Sequence, residues 1–117
     1  MVMTPVVFMG QSKKDIREMA EDVRREFGHS IRDVQMGFTP SNATKMKGNL
    51  TEVMEIVTDE DTDTYRAMYT TKLEGRVYVL DAFKKKSKSG KATPQADLDR
   101  ILLRLKAAKA HYRDHPP

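Results

Sequence analysis

The chain has no cysteine among its 117 residues, which excludes disulfides and thiolate metal sites. It has no apolar run of the roughly 18 residues that a membrane-spanning helix needs. The N-terminal stretch MVMTPVVFMG has no basic segment and is too short for a signal peptide. A cytoplasmic location is therefore expected. No repeat or low-complexity segment is present. The acidic group Asp59, Glu60, Asp61 and Asp63 lacks the glycine and closing glutamate of an EF-hand loop, so it reads as a solvated hairpin tip. Histidine is scarce. His29 lies on a predicted helix, and His111 and His115 lie four apart near the C-terminus. That spacing permits a metal pair, but the segment reads as a fraying tail. No metal and no cofactor are expected.

What is present fits one domain spanning residues 1–117, long enough to bury a core. Hydrophobic content is 38% and charged content 32%, with a net charge of +4. The charge is unevenly placed. Residues 1–83 carry 11 Lys/Arg against 14 Asp/Glu, a net −3, and residues 84–117 carry 10 against 3, a net +7. A basic C-terminal third points to nucleic acid or an acidic protein partner.

Pro5 to Met9 reads as a short strand. From Ser12, a candidate N-cap with Asp15 three residues on, apolar residues recur at steps of three and four through Ile16, Met19, Val23, Phe27, Ile31 and Val34. This predicts one helix to about Gln35, kinked or divided near residues 18–22, with Gly37 as its stop. Phe38 to Leu50 has loop composition. Val53 to Val57, Thr64 to Thr71 and Val77 to Phe83 read as a three-strand meander whose last turn is Leu73-Glu74-Gly75. Thr93-Pro94 opens a final helix with an apolar stripe of Leu98, Ile101, Leu102, Leu105 and Ala108. Arg100 and Arg104 fall away from that stripe. The expected fold is α+β: a small antiparallel sheet, made of the N-terminal strand and the meander, with two N-terminal helices (or one kinked helix) and one C-terminal helix packed on one face.

Arg66 is conspicuous in the middle of an apolar strand. Alternation places it with Met68 and Thr70, opposite Tyr65, Ala67 and Tyr69. Buried without a partner it would be costly. It pairs with a carboxylate, Glu55 or Asp81, or it faces a groove and meets a phosphate. Beyond Phe83 come Lys84, Lys85, Lys86, Lys88 and Lys91 with no acid among them.

Four pieces taken together resemble the RelE/ParE superfamily, closest to its phage-related, HigB-like branch of type II toxin–antitoxin systems. They are VRREFGHSIRDVQMG, the M-K-G loop at residues 46–48, the strand DTYRAMY, and VYVLDAFKKKSKSGKATP. The resemblance spans about Val6 to Tyr112. It implies a toxin that inhibits translation by ribosome-dependent, metal-independent mRNA cleavage. It also implies as partners the ribosome, mRNA and a cognate antitoxin, usually a helix-turn-helix protein. Arg66 matches the strand arginine that contacts the scissile phosphate, Lys47 the loop lysine, and Lys84, Lys85 and Lys86 the basic continuation. Asp81 and Phe83 fall where the branch carries Asp-Tyr-His, so the tyrosine and histidine are replaced by Ala82 and Phe83.

Cleavage of RNA requires removal of the 2′-hydroxyl proton, stabilisation of the phosphorane charge, and a proton for the 5′-oxygen. Without histidine, cations must supply these. The expected catalytic set is Arg66, Lys47, Lys84, Lys85 and Lys86, with one of the three consecutive lysines, its pKa lowered by crowding, exchanging the proton. Lys45, Phe83, Lys88, Lys91 and Tyr112 are the expected RNA-binding residues, with Phe83, Tyr69 or Tyr112 stacking on a base. A non-catalytic relative that binds nucleic acid or antitoxin, and a ParE-like gyrase inhibitor, are the alternatives.

Overall fold

The computed structural model describes residues 3–60, 63–86 and 93–117, with the side chain of Lys86 excepted. In chain order the elements are β1 (Val6–Phe8), α1 (Ser12–Arg17), α2 (Glu21–Gln35), β2 (Ala43–Lys45), a 3₁₀ turn (Gly48–Leu50), β3 (Met54–Glu60), β4 (Asp63–Thr70), β5 (Val77–Lys86) and α3 (Gln95–Asp114). The strands form one sheet in the order β1-β5-β4-β3-β2.

The α+β class, the meander and the three helices agree with the sequence. Three features differ. β1 runs parallel to β5 at the sheet edge, because the chain crosses two helices and three strands before β5 returns beside it. A fifth strand, β2, forms within the predicted loop and pairs with β3. The helices also lie on both faces of the sheet. Val23, Phe27, Ile31 and Val34 pack with Ile56, Ala67, Tyr69 and Val79 on one side. Ile101, Leu105 and Ala108 of α3 pack with Leu50, Val53, Met68, Tyr78 and Leu80 on the other. The first half of β5, Val77 to Leu80, is apolar on both faces and needs such double cover.

The predicted long helix is two, separated at residues 18–20. Ser12 is not its cap but its first residue, and its buried hydroxyl donates to the Val79 carbonyl at 3.3 Å. α2 stops at Gln35, and Gly37 just beyond it takes φ +91°. The amides of Gly37 and Phe38 return to the carbonyls of Val34 and Asp33, the Schellman arrangement that glycine permits. The C-terminal helix does not fray at Tyr112. The Tyr112 hydroxyl donates to the Glu74 carbonyl at 2.7 Å, and His111 Nδ1 shares a hydrogen bond with the Tyr78 hydroxyl at 2.9 Å.

Candidate functional site

β4 and β5 pair with Arg66 opposite Phe83, Met68 opposite Asp81 and Thr64 opposite Lys85. The register skips Leu80, because Tyr69 pairs with Val79. This bulge changes which side of the strand faces α3. Before it, Tyr78 and Leu80 pack on the α3 side. After it, Ala82 packs on the α1–α2 side, while Asp81, Phe83 and Lys85 take the α3 side. Unbroken alternation from Leu80 would have presented Lys84 there instead.

Arg66, Lys85, Phe83 and Glu55 thus share one patch beside the N-terminal half of α3. An Arg66 Nη donates to the Glu55 carboxylate, and both side chains are nearly buried. Arg66 Nε is buried with no hydrogen-bond partner among the described residues. Lys85 is only 7% exposed. Burial pushes its pKa below the ordinary lysine value, and the Arg66 charge adds to this, while Glu55 and Asp97 act in the opposite direction.

Asp81 anchors α3 beside this patch. It is 1% exposed and accepts hydrogen bonds from Arg100 Nε at 2.8 Å and an Arg104 Nη at 2.7 Å. Burial nevertheless moves its carboxyl above the ordinary value, with the two guanidiniums offsetting that only in part. Arg100 also donates to Asp97 at 2.6 Å and lies over the Phe83 ring, 5.6 Å from its centroid. One face of Phe83 is therefore already covered. The sequence placed Arg100 and Arg104 off the apolar stripe and gave them no role. The available signal was Asp81 itself, since a carboxylate in a central apolar strand requires a cation.

The other expected site residues are dispersed. Lys84, paired opposite Tyr65, is on the α1–α2 side of the sheet. It is exposed and ion-paired with Asp63 at 3.1 Å. Its pKa is raised, first by the hydrogen bond to Asp63 and then by that charge. The expected lowering by crowding fails for Lys84, because consecutive strand residues point to opposite faces. Lys86 pairs with Asp63 through its backbone register. Lys88 and Lys91 lie outside the described residues. Lys47 is exposed at the start of the 3₁₀ turn. Lys45 pairs opposite Met54 and lines a cleft on the α2 side together with Tyr69. Tyr112 is held at the far end of α3, against the β4–β5 turn. His29 is exposed on α2, and no group of three metal-ligating side chains occurs among the described residues.

A partly screened arginine beside a desolvated lysine, with one carboxylate between charges and no histidine, can hold a phosphate and exchange a proton. The five-stranded mixed sheet with two helices on one face and a third on the other is a RelE-like fold. The E. coli toxin RelE, solved as a mutant in the free state, superposes with TM-score 0.62 at 18% identity, covering 89% of this chain and 99% of that one. The toxin–antitoxin complex RelBE2 from Mycobacterium tuberculosis gives 0.50 at 15% identity, covering 72% of this chain and 100% of that one. No curated protein sequence matches. Residues 14–106 match the family described as phage derived protein Gp49-like (DUF891), and the chain belongs to that family.

Proposed function

We propose that this protein is the toxin of a type II toxin–antitoxin pair and inhibits translation by metal-independent cleavage of mRNA on the ribosome. The observation that carries the reading is that Arg66 and Lys85, a buried lysine whose pKa burial lowers, lie close together on the α3 face of the sheet. In this reading the phosphate displaces Glu55 from Arg66. The Arg66 guanidinium then binds the non-bridging oxygens and stabilises the phosphorane. The unprotonated fraction of Lys85, which the lowered pKa enlarges, accepts the 2′-hydroxyl proton as that oxygen attacks phosphorus. The 5′-oxygen leaves with a proton, which Lys85, now charged, can return. Lys47, exposed at the start of the 3₁₀ turn, adds a cation for the RNA backbone. The partners are the ribosome, mRNA and an antitoxin, for which a helix-turn-helix protein is the expectation, and the protein acts in the cytoplasm.

The hold of Glu55 on Arg66 favours a second reading, in which the chain binds nucleic acid or antitoxin without catalysis. A cell-free translation reaction with primer extension separates the two. Cuts that need translating ribosomes and fall by 10²–10³-fold in Arg66→Ala, the usual effect of losing one such donor, support cleavage. Intact mRNA with normal protein synthesis sinks it, and a gyrase supercoiling assay then tests the ParE-like alternative.

A further inference from the structure

The α2 side of the sheet carries a cleft of about 610 Å³ that the Arg66 site does not use. That volume lies within the range of small-ligand sites. The cleft runs between the end of α2 and the β4–β5 turn. Phe38, 57% exposed, stands at its lip. Lys45 and Lys72, both exposed, flank it and have no ion-pair partner among the described residues. Its wall includes Tyr69, which is 3% exposed. The Tyr69 hydroxyl makes no hydrogen bond to any described residue, and it is not sealed from solvent. A tyrosine buried to this degree ordinarily finds a partner for its hydroxyl, and this one, on the cleft wall, is left without one among the described residues. Burial raises its pKa and keeps it protonated at neutral pH. Of the two carboxylates on the rim, Glu52 is engaged by Lys109 at 2.7 Å and Glu74 is exposed at the turn.

We propose that this cleft is a nucleotide site, binding one base and its phosphate on the face of the sheet opposite Arg66. The base stacks on Phe38, Lys45 and Lys72 hold the phosphate, and the Tyr69 hydroxyl donates to an acceptor on the base or sugar. An exposed aromatic ring beside unpaired cations is the pattern that takes unpaired nucleotides. The proposal relies on the RNA reading for the source of the nucleotide, not for the chemistry of the site.

The test is an amide NMR titration of the intact protein, run with AMP and with a 2′-O-methyl oligonucleotide, which cannot be cleaved. Shifts at Gly37, Phe38, Thr71 and Gly75 are expected. Phe38→Ala should weaken binding at the cleft by about tenfold, and Tyr69→Phe, which removes one oxygen, by several-fold. Shifts with both ligands assign a free-nucleotide site, and shifts with the oligonucleotide alone assign a contact to a chain. No shift at these residues with either ligand at millimolar concentration overturns the proposal. Shifts at Phe83 and Lys85 report the Arg66 site separately, so either reading can fail alone.

Discussion

Glu55 holds Arg66 across β3 and β4 by an ion pair in which both side chains are nearly buried, and the remaining Nε of that guanidinium has no partner among the described residues. The pair is diagonal, since Glu55 is registered with Met68 and Arg66 with Val57. One carboxylate thus compensates Arg66 and lies close enough to Lys85 to affect its titration.

Replacing Glu55 should therefore act on both cations. Glu55→Gln keeps the shape but removes the charge that favours protonated Lys85, so the Lys85 pKa should fall further. Leaving Arg66 without its counter-ion should destabilise the fold by about 3 kcal/mol, toward the low end for buried pairs because water reaches the site. Nitrogen-detected NMR of the Lys85 ammonium and urea denaturation check the two effects. An unchanged Lys85 titration would show that Glu55 is not its electrostatic partner.

Lys85 gives a pH dependence whose sign is fixed. Its native pKa lies below the ordinary lysine value, so between the two values the unfolded chain binds more protons than the native one. Stability should then rise with pH through that window and be lowest, as far as this group is concerned, where Lys85 is charged in both states. Lys85→Met should flatten the rise. Urea midpoints at pH 7, 8.5 and 10 for both proteins measure it, and parallel curves would remove Lys85 as the source.

The part of the site that sequence reveals is the part governed by simple alternation. Period two separated Arg66 from Tyr65 and Tyr69, and those two rings are in the opposite core. The cost of burying an unpaired arginine named Glu55, with Asp81, as a candidate partner. Alternation could not choose among the lysines, because the bulge at Leu80 leaves no mark in the side-chain pattern and reverses the parity of everything after it. Lys85, not Lys84, enters the site for that reason. The placement of α3 was also hidden. Its apolar stripe fits either face of the sheet, and the choice is made by Asp81 drawing in Arg100 and Arg104. The parallel edge strand was missed because strand direction at a non-sequential neighbour depends on the helices crossed between.

Gly28 sits inside α2 with no positive φ, and a Cβ placed there meets nothing within 4 Å. Neither a special conformation nor close packing requires glycine. Gly28→Ala should stabilise the protein by up to about 1 kcal/mol through helix propensity and raise Tm by roughly 4 °C. Calorimetry reads this directly, and a lowered Tm would mean that the open space is needed in the native state.

Gly10 presents the opposite case, and it controls the anchor of α3. It has φ +55°, and a Cβ there would fall 2.6 Å from Arg104 Nε, too close for any native contact. Arg104 lies against this backbone while it donates to the Leu80 carbonyl at 3.1 Å and to Asp81 at 2.7 Å. Gly10→Ala should push the guanidinium out and leave buried Asp81 with Arg100 as its single cationic partner. Loss of about 2–3 kcal/mol is expected, from backbone strain together with a weakened buried carboxylate. Asp81→Asn should cost a comparable amount by removing the charge both arginines answer. In each variant the loss should concentrate in α3, so amides of residues 98–105 should exchange faster while those of α2 keep their protection. Equal loss of protection in both helices would show that α3 is not separately anchored, and that Asp81 serves the core as a whole.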